Sequence, residues 1–134
     1  MVEGVLGLVV KDGKFLLGIE AKNVPNKGKW RLLGGKLERG ENAVHAFERE
    51  VMEEADIRVK VVKSLGHKKG TYVPIKLHIV LSEYLEGEPS PAVREIRQLK
   101  YFSLEEIKNI EMDSVSREVF EELESRISID GSVF

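Results

Sequence analysis

The chain has 134 residues, of which 33% are charged, with a formal net charge of −2 and no cysteine. That length suits a single domain over residues 1–134 that buries a core without staples. The charge balance makes no case for nucleic acid or an anionic membrane as partner, and the missing thiols exclude disulfides, thiolate metal centres and cysteine nucleophiles.

The opening Met1-Val2-Glu3-Gly4 carries no basic segment, so no signal peptide is expected, and the apolar run "VLGLVV" is far too short to span a bilayer. A cytoplasmic location is the resulting expectation. "VLGLVV" and "KFLLGIE" flank Asp12-Gly13, a strong hairpin signal. Residues 21–29 mix Asn, Pro, Lys and Gly and read as a loop. "WRLL" is a short strand that Gly34-Gly35 interrupts, with "KLERGE" continuing as irregular chain. Residues 42–55 read as a helix with Val44, Phe47, Val51 and Ala55 along one apolar stripe. Strands follow in "IRVKVVKSLGHKK", in "YVPIKLHIVLSEYLEG" with Pro74 near its start, and in "IRQLKYFS", with "PSPAVRE" as the loop between the last two. Ser103-Leu104-Glu105-Glu106 has the pattern of a capping box, and a final helix is predicted from about Asp113 to about Ile127. Strands, helix, strands, helix in one chain predict a mixed α/β domain with helices packed on a mixed sheet.

Within the first helix, Glu50, Glu53 and Glu54 share one face at i, i+3, i+4 spacing, where like charges repel. On a helical wheel, Ala43 and Ala46 fall in the same sector, and Glu54 is placed at the edge of the core. Carboxylates grouped in this way suit a hard divalent cation such as Mg²⁺ or Mn²⁺, whose charge would cancel the repulsion. A glutamate-rich surface helix with an Arg49–Glu53 pair would carry the same residues, and the flanking segment bears on the choice. Residues 21–39 hold six bases (Lys22, Lys27, Lys29, Arg31, Lys36, Arg39) and one acid, net +5, whereas residues 41–56 hold six acids and one base, net −5. A polyphosphate carrying a divalent ion presents both complementary signs, and Gly34-Gly35 would let backbone approach it closely.

The spacing Gly35, five residues, Glu41, seven residues, then Arg49-Glu50-Val51-Met52-Glu53-Glu54-Ala55-Asp56-Ile57 resembles the Nudix box, with Asp56 where the family usually has glycine. The resemblance implies an α/β/α sandwich, hydrolysis of a nucleoside diphosphate linked to another group, and a divalent cofactor. It further implies that Glu50, Glu53 and Glu54 hold the metal with help from the Gly34 carbonyl, that Gly35, Glu41 and Arg49 brace the site, and that Glu53 or Glu95 is the general base. At Asp56 the glycine would supply a left-handed helix terminus, a conformation that aspartate tolerates better than most residues. "GKWRLLGGKLERGE" is similar to the MutT-type nucleoside triphosphate hydrolases, although Leu33 stands where proline is common. This favours conversion of a nucleoside triphosphate to the monophosphate and pyrophosphate. Pro74 hints at the ADP-ribose subclass and Tyr72 at the dinucleoside polyphosphate subclass. Phosphate contacts are expected from Arg31, Lys36 and Arg39, and base stacking from Tyr72 or Trp30. His45 is not expected to be a ligand. The partner is a small nucleotide. Open sheet edges leave room for a homodimer, and a non-catalytic nucleotide-binding domain is the reading from another functional class.

Overall fold

A computed structural model describes residues 2–21, 28–70, 73–92 and 95–126, with Ser125 described by its backbone alone. Strand β1 (Val2–Lys11) turns at Asp12 and Gly13, both with positive φ, into β2 (Lys14–Glu20). Two consecutive left-handed residues match the twist of an antiparallel hairpin. The two strands pair only near the turn, at Val10–Phe15 and Lys11–Lys14, and then diverge. Two short strands fill the gap between them: β3 (Trp30–Arg31) pairs with β2, and β4 (Leu33–Lys36) pairs with β1.

The expected single strand "WRLL" is therefore split. Its break is at Leu32, whose N–H leaves the ladder for the buried Ser116 hydroxyl at 2.9 Å. Gly34 and Gly35 do not interrupt the strand as expected. They are its centre, opposite Leu6 and Val5. A Cβ on Gly34, which has φ 144°, would come within 1.9 Å of the Val5 carbonyl oxygen, so only glycine permits this pairing.

Helix α1 (Ala43–Ala55) follows, capped by the Asn42 side chain, which accepts from His45 N at 2.8 Å. Strand β5 (Arg58–Lys69) pairs antiparallel with β6 (Ile75–Glu86), and β6 runs parallel to β1. Strand β7 (Ile96–Phe102) closes the other side against β2. Helix α2 (Leu104–Ile107) opens with the Ser103–Glu106 capping box that the sequence predicts. Helix α3 starts and stops inside its expected span, at Ser114–Leu123 with Asp113 as N-cap, and a 3-10 turn continues to Arg126.

Alternation along the central strands divides the core into two layers. Val5, Val9, Leu16 and Val80 pack with α1, while Leu8, Phe15, Leu17, Ile79 and Leu81 pack with α2 and α3. The result is the α/β/α sandwich expected from the sequence. The apolar stripe of α1 is rotated from its expected position. Val44 is 46% exposed, and Ala46, placed on the acidic face by the wheel, is fully buried. The rotation has a steric cause. Gly7 leaves room for the Phe47 ring, whose Cζ would lie 2.6 Å from a Cβ there, and this draws the Ala46 and Phe47 side of the helix onto the sheet.

Candidate active site

The rotation of α1 carries Glu54 past the edge of the core and into it, to 3% exposure. A carboxylate at such a depth needs partners. Glu54 Oε1 accepts from the N–H of Gly34 at 3.0 Å, and Oε2 accepts from Arg31 Nη2 at 2.9 Å. Burial still raises the Glu54 pKa, although Arg31 and the Gly34 amide act against the rise. One turn earlier, Glu50 lies against β4, where a Cβ on Gly35 would sit 2.6 Å from its carboxyl carbon. Burial and then the charge of Glu54 raise the Glu50 pKa to about 7, against the pull of Arg49.

Glu95 completes the cluster from the other end of the chain. The last turn of α1 presents the carbonyls of Glu54 and Ala55, which accept from Ala92 N at 3.1 Å and Ser90 N at 2.8 Å. These bonds satisfy carbonyls that the helix leaves open, and they dock the loop that leads to Glu95. Oxygens of Glu50, Glu54 and Glu95 then lie within 4.8 Å of one another. Three carboxylates grouped in this way form a hard-oxygen donor set suited to a divalent cation.

The remaining box residues form a brace beside the cluster. Arg49 donates to Glu41 through Nε at 2.8 Å and Nη2 at 2.9 Å, to Glu50 at 3.0 Å and to both oxygens of Glu53 at 3.1 Å. It also reaches the Lys36 carbonyl at 3.2 Å, tying β4 to α1. Hydrogen bonds from Arg49, then from the Glu38 amide and from His45, hold the Glu41 pKa down to about 2. His45 thus contacts Glu41 and none of the three clustered carboxylates. Asp56 ends α1 at φ 56° and ψ 36°, the left-handed conformation that the usual glycine would adopt, with its N–H bonded to the Met52 carbonyl.

The other expected site residues occupy varied surroundings. Glu53 is outside the cluster, with a side chain 48% exposed and bound by Arg49. Arg31, expected at a substrate phosphate, is nearly buried against Glu54 and also borders a cleft. Burial disfavours its charge, but Glu54 and Glu20 outweigh that and raise its pKa. At Gly34, expected to offer its carbonyl, the N–H bonds Glu54 Oε1. Trp30 lies edge-on to Phe102 with ring centroids 4.7 Å apart. Lys36 and Arg39 are exposed on the end of β4 and the loop beyond it. Tyr72 lies outside the described residues.

A cleft of about 270 Å³ is bordered by Glu20, Arg31, Gly34, Gly35, Asp113 and the β5–β6 end at Gly70, Val73 and Ile75, and it meets the cluster through Arg31 and Gly34, which bond Glu54, and Gly35, which abuts Glu50. The sequence reading missed Glu20 and Asp113. Asp113 reaches the cleft because its N–H bonds the Trp30 carbonyl at 3.0 Å, and no local pattern announces that pairing. Glu20 had a signal: an acid closing an apolar strand, with an unpaired base in the strand candidate that follows.

The NUDIX domain family model matches residues 2–124. Over 89 residues the chain is 34% identical to the oxidized purine nucleoside triphosphate hydrolase of Danio rerio, an alignment covering 63% of this chain and 56% of that protein. Over 60 residues it is 45% identical to the ADP-ribose pyrophosphatase of Methanocaldococcus jannaschii, covering 45% of this chain and 35% of that one. The chain thus spans less than two thirds of the length of these curated relatives. A MutT protein from Methanosarcina mazei Go1 superposes with a TM-score of 0.77 at 26% identity, covering 92% of this chain and 93% of its own. A NUDIX hydrolase from Nitrosomonas europaea has the same fold, with a TM-score of 0.84 at 22% identity, covering 99% of this chain and 75% of that one. Among the described residues, no helix is long and apolar enough to cross a membrane.

Proposed function

The chain belongs to the Nudix family, and from that premise we propose that it is a Mg²⁺- or Mn²⁺-dependent pyrophosphohydrolase that converts a nucleoside triphosphate to the monophosphate and pyrophosphate. The observation that carries this reading is the convergence of Glu50, Glu54 and Glu95 within 4.8 Å beside a cleft bordered by Gly34 and Gly35. Support for a triphosphate comes from "GKWRLLGGKLERGE" and from similarity to a relative named as an oxidized purine nucleoside triphosphate hydrolase.

Glu50, Glu54 and Glu95 would hold the cation, which would supply Lewis-acid stabilisation of charge developing on the phosphoryl oxygens. Water attacks phosphorus, the P–O bond to the leaving pyrophosphate breaks, and a carboxylate takes the proton of the water. We assign that role to Glu95 over Glu53, because Arg49 engages both oxygens of Glu53, whereas Glu95 offers one oxygen to the cluster and keeps the other for the proton. Exposed Lys36 and Arg39 offer positive charge to the polyphosphate.

The test is a hydrolysis panel of NTPs, dNTPs, 8-oxo-dGTP, ADP-ribose and diadenosine tetraphosphate with each metal, using Glu54→Gln as the blank. Pyrophosphate and a monophosphate from a triphosphate are the expected products. Retention of turnover in Glu95→Gln with its loss in Glu53→Gln would reverse the assignment of the base. ADP-ribose hydrolysis is the second reading, favoured by the M. jannaschii relative and by Pro74 beside the cleft-lining Val73 and Ile75. AMP and ribose phosphate as the main products would select it. Binding without turnover across the panel would favour a regulatory domain.

A further inference from the structure

A buried cation, Arg31, links the cleft to the acidic cluster. Arg31 is 8% exposed and contacts three groups. Its Nη2 lies 2.9 Å from Glu54 Oε2, its Nη1 donates to the Leu32 carbonyl at 2.8 Å, and its Nε sits 2.6 Å from Glu20 Oε1, an ion-pair contact without hydrogen-bond alignment. Glu20 is re-aimed by a register shift between Ile19 and Glu20, where β2 pairs with β7, and its side chain is 25% exposed. Both Glu20 and Arg31 border the cleft. The ionic chain therefore runs Glu20, Arg31, Glu54, from the cleft into the cluster.

The two oxygens of Glu54 are held from two directions, by the Gly34 amide on one side and the Arg31 guanidinium on the other. Neither contact alone would stop the carboxylate rotating about its own axis, but together they do. A buried ion pair is a weak source of stability, because desolvation offsets its attraction. What a planar guanidinium does supply is orientation. Glu20 provides the second negative charge that offsets Arg31, so the three groups together retain a net negative charge beside the cluster.

We propose that Arg31 is a positioning residue that sets the divalent-cation affinity of the site by fixing the Glu54 carboxylate, with Glu20 as its counter-charge on the cleft side. The inference rests on the reading of Glu50, Glu54 and Glu95 as metal ligands. A cation 2.9 Å from a ligand oxygen would by charge alone weaken metal binding, so the effect of removing it separates orientation from repulsion.

The experiment is calorimetric titration of the full chain with Mn²⁺ alone, with far-UV circular dichroism as the folding control. Arg31→Met is expected to weaken Mn²⁺ binding tenfold or more. Arg31→Lys, which keeps the charge but not the planar fork, is expected to weaken it severalfold. In turnover assays the loss falls on kcat, with the KM for nucleotide changed less than threefold. If Arg31→Met does not fold, Arg31→Lys and Glu20→Gln carry the test, each expected to weaken Mn²⁺ binding threefold or more with an unchanged spectrum. Affinity within twofold of the wild type in every folded variant, tighter binding on loss of Arg31, or no Mn²⁺ binding by the wild type would overturn the proposal. A wild type that binds Mn²⁺ but hydrolyses nothing on the panel would sink the pyrophosphohydrolase reading and leave this one standing. Turnover with unchanged variant isotherms would do the reverse.

Discussion

At Glu50, burial and the charge of Glu54 act in the same direction, and the carboxyl is pushed up to about 7 from an ordinary 4.5. A group whose folded pKa lies above its unfolded value destabilises the fold once pH exceeds the unfolded value, and the penalty is complete above the folded one. Glu50→Gln should therefore stabilise the metal-free protein at pH 8 by about 2 kcal/mol. The gain should shrink as pH falls through 7 and vanish below about 4.5, as read by urea denaturation in EDTA. The same substitution should abolish turnover, the usual exchange of stability for function. Gly34 has the opposite character, since its backbone angle and its contact with Val5 exclude any side chain. Gly34→Ala should cost roughly 2–4 kcal/mol and separate β4 from β1, measured as a lowered urea midpoint.

Helix α1 is held at both ends and along one side by contacts of distinct kinds. At its C-terminus, Asp56 pays for a left-handed conformation at φ 56°. Asp56→Gly should stabilise the protein by about 0.5 kcal/mol and leave Mn²⁺ affinity unchanged, because Asp56 contacts none of the clustered carboxylates. Beside the helix, Arg49 ties Glu41 to Glu50 and Glu53. Glu41 has a depressed pKa of about 2, so the stability it contributes is present above its ordinary 4.5 and is lost as pH falls through about 2. Glu41→Gln should lower the thermal midpoint at neutral pH. Its gap to the wild type should close on acidification below about 2, where both carry a neutral side chain. A gap that stayed constant with pH would show that the Glu41 contribution is packing rather than charge.

For the molecule as a whole, the divergence of β1 from β2 is what creates a place for chemistry. The segment 30–36 wedges between them, so that Gly34 and Gly35 face α1 while Arg31 joins cleft to cluster. Because the three carboxylates come from α1 and from the approach to β7, a cation that gathers them ties distant parts of the chain together. Binding to the folded state alone stabilises it by about 2.7 kcal/mol at a ligand concentration one hundred times the dissociation constant. Saturating Mn²⁺ should raise the melting temperature by on the order of 10 °C, EDTA should reverse the change, and Glu54→Gln should largely abolish it.

Local chemistry made much of this legible in advance. Asp12-Gly13 specified a turn because few residue pairs accept two positive φ angles. The strands announced themselves by alternation, and helical spacing placed Glu50, Glu53 and Glu54 on one face, while the pattern from Gly35 to Ile57 carried the resemblance to the family that matches the chain. The rotation of α1 was not legible, since it depends on how closely Phe47 approaches Gly7 across the sheet. Nor was the pairing of Arg31 with Glu54, 23 residues apart in sequence, or the docking that brings Glu95 beside Glu50. Periodicity ranks residues by face within one element. Which face of one element meets which residue of another is decided by packing, and the acidic cluster and its buried cation exist only at that level.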